Sequence, residues 1–86
     1  MPSPEFRAGD LVEFIPSAER DHGGVWWCEN PAGDEVAVPP GTKALVLYLS
    51  DVVSHQEEYF FSYKILVDGV LLEASDIMFR KITIPQ

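Results

Sequence analysis

The sequence predicts an all-β domain, a small and strongly bent antiparallel barrel of about five to seven strands with a long early loop or hairpin. Three observations carry this. Lys43-Ala44-Leu45-Val46-Leu47-Tyr48-Leu49 is an apolar run of strand length, and Tyr59-Phe60-Phe61-Ser62-Tyr63-Lys64-Ile65-Leu66-Val67 is an aromatic and β-branched run. Asp68-Gly69 directly after the second run is the strongest short hairpin signal a sequence offers. No segment has the periodicity of an amphipathic helix.

Taken in order, Pro2-Ser3-Pro4 sets residues 1–5 as an extended, flexible tail, because two prolines remove backbone donors and bias their neighbours away from helix. The single domain runs over 6–86. Ala8-Gly9-Asp10 turns into a first strand at 11–15, with Val12 and Phe14 facing inward and Glu13 outward. Pro16 ends it. Residues 17–24, polar and closed by Gly23-Gly24, read as a loop. Residues 25–29 and 35–38 flank Asn30-Pro31-Ala32-Gly33-Asp34, a connection rich in turn formers, and read as a short hairpin or a pair of extended arms. Pro39-Pro40-Gly41-Thr42 suits a type II turn, with Pro40 fixing φ and Gly41 supplying the positive φ. A strand at 43–49 follows, then a polar, acidic loop at 50–58, the aromatic strand at 59–67, and a return strand at 70–73. Ala74-Ser75-Asp76 forms a tight turn or one 3₁₀ turn before a last strand at 77–84, which Pro85 closes. The expected core is Val12, Phe14, Leu45, Leu47, Ile65, Val67, Leu72, Ile77 and Phe79.

An 86-residue chain makes one small domain and buries only about 60–65% of the surface its unfolded form exposes. Cys28 is the only cysteine, so no internal disulfide adds stability, and assembly with other chains is a natural way to gain it. The N-terminus lacks the basic and apolar stretches of a signal peptide, and the longest apolar run falls far short of the roughly 20 residues that span a bilayer. The expectation is a chain in a reducing compartment, with no membrane segment.

Fourteen acids against six bases give a net charge of −8, and residues 1–40 hold eight of the acids with only two bases. Nucleic-acid binding rests on cations that neutralise phosphates, so this balance argues against it. His22, Cys28 and His55 lack the paired spacing of a tetrahedral metal site. Asn30, Asp34 and Glu35 lack the alternation of a calcium loop. Cys28 with a histidine and Asn30 matches no cysteine-hydrolase spacing, and Glu57-Glu58 reads as a solvated charge pair guarding a sticky strand end. Neither catalysis, nor a metal, nor a cofactor is expected.

Aromatic residues supply the remaining signal. Strand alternation sends one of Trp26 and Trp27 inward and the other outward, and the aromatic run places large side chains on both faces. A small barrel cannot bury all of them on its inner face. The surplus is covered either by the 16–40 excursion or by another chain, and Trp26, Trp27, Tyr48 and Phe60 are the interface candidates.

Gly9-Asp10-Leu11-Val12, the segment from Pro40 through Leu47, and Tyr63-Lys64-Ile65-Leu66-Val67-Asp68-Gly69 with Ser75-Asp76-Ile77 resemble small SH3-like β-barrel proteins, and more narrowly those of marine tailed bacteriophages. The resemblance covers residues 6–84. It implies a virion-associated structural protein, serving in decoration, head completion or as a tail adaptor, whose partners are other virion subunits or further copies of itself in the virion or host cytoplasm. Trp26-Trp27 after Gly-Gly is also similar to the peptide-binding edge of signalling SH3 domains, although some 45 residues follow where that family closes. It implies the alternative of an intracellular adaptor for a basic or proline-rich host peptide. A single-stranded nucleic-acid binder using the aromatics as a stacking platform is the third alternative.

Overall fold

The computed structural model of the chain describes residues 4–18 and 23–83. Among the described residues, seven strands form one antiparallel sheet: β1 (Leu11–Phe14), β2 (Trp26–Glu29), β3 (Glu35–Val38), β4 (Lys43–His55), β5 (Glu58–Val67), β6 (Val70–Ser75) and β7 (Phe79–Lys81). Their order across the sheet is β3-β2-β6-β5-β4-β1-β7. A 3₁₀ turn at Asp76–Met78 leads into β7. The sheet curls into a small barrel, as the sequence predicts. Beyond β1, the Ser17 amide donates to the Gly24 carbonyl at 2.8 Å, and the Trp26 indole donates to the Ile15 carbonyl at 2.6 Å. These bonds draw the chain after β1 against the start of β2. Gly24 fits there because its φ is +78°, and a Cβ would stand 3.3 Å from that of Pro16.

The turns follow their residue chemistry. Gly41 has φ +88° and the Thr42 amide reaches the Pro39 carbonyl at 3.3 Å, which makes the type II turn. Asn30 accepts the amides of Ala32 and Asp34 on its side-chain oxygen, holding the β2–β3 hairpin. Asp68 and Gly69 both have positive φ, and Val67 pairs with Val70 across them. Tail residues 1–3, His22 and the ending at Pro85 lie outside the described residues.

Aromatic rings dominate the core. Phe79 lies with its ring centroid 4.7 Å from Phe6, 5.8 Å from Phe14 and 6.0 Å from Tyr63, and Phe6 meets Tyr63 edge-on at 5.6 Å. Val12, Val46, Ile65, Leu72 and Ala74 fill the space around them. The buried Phe6 amide donates to the Tyr63 hydroxyl at 3.3 Å, so the one polar atom on that ring is satisfied.

Several expectations are corrected. Residues 50–58 are not a loop: β4 continues to His55, and only Gln56 and Glu57 turn, both at positive φ, before β5 begins at Glu58. The last strand is three residues long, because residues 76–78 form the 3₁₀ turn and leave Ile77 half exposed, at 52%. Leu45 faces outward at 37%, while Ala44 and Val46 are buried in its place. Leu47 sits at a register shift between Val46 and Tyr48, where one extra residue bends the strand, and it is only half-buried. Val67, also half-buried, packs on the rim of the core.

Candidate interaction surface

The sheet neighbours of β4 and β5 change along their length. β4 pairs with β1 from Lys43 to Leu45, and Val46 exchanges backbone bonds with Gly9 and Asp10. β5 pairs with β6 only from Ser62 onward. Among the described residues, 49–61 therefore form a two-stranded ribbon whose strands pair in the sheet only with each other. Such ribbons are marginal in water without cover. This one exposes Leu49, Val52, Val53 and Tyr59 at 40–46% each.

Cross-strand partners share a face, so the register sorts these side chains. Leu49 pairs with Tyr63 and Val52 with Phe61, continuing the buried face outward from the barrel. On the opposite, outer face, Tyr48 pairs with Lys64 and Val53 with Phe60, while Asp51 pairs with Ser62. Residues 44–63 contain no Lys or Arg but hold Asp51, Glu57 and Glu58, so the ribbon is acidic.

A second apolar feature crosses the outer face of the barrel itself. Leu11 pairs with Leu45, Leu45 with Leu66, and Leu66 with Leu71, giving a row of four leucines perpendicular to the strands. The Ile82 amide donates to the Leu11 carbonyl at 2.9 Å, which brings half-buried Ile82 to the end of the row. Beside it, Glu13 lies between Lys43 and Arg80, and Arg80 Nη2 stands 3.2 Å from Glu13 Oε1. That border carries two cations against one anion.

The four interface candidates divide. Trp26 is half-buried against the core, with its indole N–H bonded to Ile15, and is a structural residue. Trp27, 48% exposed, Tyr48, 53% exposed, and half-buried Phe60 stand on the outer face. Sequence reasoning missed the leucine row and the ribbon valines. Alternating leucines at 45, 47 and 49 hinted at them, since three large side chains at every second position exceed what one curled wall can bury.

Ion pairs join the strands. Asp10 accepts the Arg7 amide at 2.9 Å and meets Lys81 Nζ at 3.3 Å; Glu73 accepts Ser50 Oγ at 2.6 Å and meets Lys64 Nζ at 3.3 Å. For Asp10 the Arg7 amide, and for Glu73 the Ser50 hydroxyl, is the largest influence holding the carboxyl below its usual value. Burial opposes both, and the lysines assist. A depressed folded-state pKa means that the unfolded chain takes up protons first as the pH falls. The stabilisation is complete above the ordinary carboxylate range of about 4 and is lost as the pH drops through it. Urea midpoints followed from pH 7 to 3 are expected to fall less steeply in Asp10→Asn and Glu73→Gln than in the parent, with both variants weaker at pH 7.

No catalytic constellation is assembled among the described residues. Cys28 is buried, and desolvation pushes its thiol up to about 11, so it is protonated at neutral pH. Its sulfur lies 3.9 Å from that of Met78. His55 is exposed near the ribbon tip, and no group of three or more His, Cys, Asp or Glu side chains is placed to hold a metal ion among the described residues. No helix there is long and apolar enough to cross a membrane. A shallow apolar groove of about 290 Å³ lies between β3 and the β5–β6 turn, lined by Val36, Val38, Val67, Val70 and Leu72, with Asp68 among its walls.

These features define an all-β, barrel-like protein with a projecting ribbon. No family model, curated protein or solved structure matches the chain.

Proposed function

We propose that the chain is a non-catalytic structural or interaction subunit, a small virion-associated protein of a tailed phage, that engages its neighbours through the β4–β5 ribbon. The observation that carries the interaction part is the ribbon at 49–61, which holds large apolar side chains in water on a two-stranded scaffold. Exposed apolar surface of this kind is retained where a partner covers it. The virion part rests on the resemblance of residues 6–84 to small phage barrels. Mass spectrometry of purified particles of the encoding phage is expected to find the chain at a fixed copy number per particle. Its absence from particles would overturn the virion assignment.

The groove beside β3 favours a second reading, an intracellular adaptor for a basic or proline-rich host peptide. It is apolar, it borders the edge strand of the sheet, and Asp68 supplies a carboxylate for a cation. That reading expects the chain to be missing from particles and to co-purify with a host protein in a complex that weakens with salt. Nucleic-acid binding is disfavoured further, because Lys64, Arg80 and Lys81 each already face a carboxylate.

A further inference from the structure

We infer that the ribbon of one copy seats on the leucine row of a second copy, in a head-to-tail contact that leaves a ribbon at one end of the pair and a leucine row at the other. The inference rests on the ribbon being an interaction surface and names its partner. Two properties of the surfaces fit. Both are apolar at their centres, with Val53, Phe60 and Tyr48 on the outer face of the ribbon and Leu11, Leu45, Leu66 and Leu71 across the barrel. Their borders differ in charge: Asp51, Glu57 and Glu58 lie on a ribbon with no Lys or Arg, whereas beside the row Lys43 and the Glu13–Arg80 ion pair leave one net positive charge, and the Lys64–Glu73 pair on its other side is neutral.

Symmetric alternatives are poorer on the same grounds. Ribbon against ribbon would bring six carboxylates together, three from each copy. Row against row would leave both ribbons in water. Like charges across an interface are costly, whereas the head-to-tail arrangement sets the acidic ribbon beside a flank of one net positive charge. Because donor and acceptor surfaces differ, every added copy presents both again, so the contact repeats into a closed ring or an open chain.

The test uses the full chain and two variants altered at exposed positions. The donor variant carries Val53→Lys and Glu57→Lys on the ribbon; the acceptor variant carries Leu45→Glu and Arg80→Glu. Sedimentation velocity and light scattering of the parent are expected to show species above the monomer that grow with concentration. Each variant alone is expected to remain a monomer. Mixed in equal amounts, they form a 1:1 heterodimer and nothing larger, since one intact ribbon and one intact row remain. Circular dichroism and urea midpoints verify folding. Should a double variant unfold, Glu57→Lys and Arg80→Glu alone serve as the pair, and the chain carrying both regains association lost by either.

A parent that stays monomeric at every concentration overturns the inference, as does a mixture that stays monomeric. An acceptor variant that dimerises by itself overturns it in favour of a ribbon-to-ribbon contact. Failure here is separable from failure of the proposed function. A chain monomeric in solution yet present in particles at fixed copy number loses only the self-contact, and a self-associating chain absent from particles loses only the virion assignment.

Discussion

Phe79→Ala is expected to cost about 3–5 kcal/mol, the usual range for deleting a buried phenylalanine, and to shift the urea midpoint more than any other truncation of the ring cluster. Phe79 is 3% exposed and is the one ring in contact with all three others, joining the segment before β1 through Phe6, β1 through Phe14 and β5 through Tyr63. Removing it leaves a void bordered by three rigid rings. These cannot collapse without dragging their backbones, so little of the lost contact is recovered. A domain of this length has roughly 4–13 kcal/mol of stability in all, taken at 0.05–0.15 kcal/mol per residue, and the substitution removes a large share of it. Phe79→Leu, which keeps most of the volume, is expected to lose clearly less. Equilibrium urea denaturation followed by circular dichroism decides the matter. A loss below about 1 kcal/mol for the alanine variant would show that the cluster does not anchor the fold.

That cluster was only partly legible from sequence. Phe14 is expected in the core because Val12, Glu13 and Phe14 alternate, whereas Phe79 lies in a run, Ile77 to Ile84, without clean alternation. Phe6 lies between an extended tail and a turn, outside any strand, and periodicity says nothing about a residue that packs from a loop. Tyr63 was readable as sharing a face with Phe61, Ile65 and Val67, and three of those four are buried. The turns were the most legible of all, since Gly41, Asn30 and Asp68-Gly69 act through local chemistry that no tertiary contact has to override.

The ribbon was hidden for the opposite reason. Residues 50–58 carry Ser, Asp, His, Gln and Glu, which read as a loop, yet Val52, Val53 and the extended backbone continue the strand to His55. Its tip, Gln56-Glu57, adopts positive φ without the Asn-Gly pair that usually announces such a turn. A second register shift between Leu49 and Asp51 reassigns the faces again, so a pattern counted from Lys43 is out of phase twice before the tip. Bulges are set by how the whole sheet bends, and no local residue in this segment marks them. The leucine row was legible only as an excess of large side chains, since it needs the registers of four strands at once.

The same phase question yields the second large effect, a contrast between two adjacent positions. Leucine at 45, 47 and 49 outweighs Ala44, Val46 and Tyr48 in bulk, so hydrophobicity by size turns the odd positions inward. The barrel does the reverse, because Phe14, Tyr63 and Phe79 already fill much of the same buried cluster and the smaller Ala44 and Val46 complete it from β4. Val46→Asp therefore puts a carboxyl at a fully buried site paired with Ile65, where the described buried residues include no cation. Either the charge is desolvated or the acid stays protonated through a raised pKa, and the expected loss is several kcal/mol, enough to leave the chain largely unfolded at pH 7. Leu45→Asp, one residue away on the outer face, is expected to lose about 1 kcal/mol or less. Circular dichroism at pH 7 and at pH 4 separates the mechanisms, since part of the Val46→Asp deficit returns where the acid is neutral and none is expected to return for Leu45→Asp. If the two variants proved equally stable, or if Leu45→Asp were the one that unfolded, the strand would have the opposite face inward, and the leucine row would lie in the core rather than on the surface that the ribbon of another copy is inferred to cover.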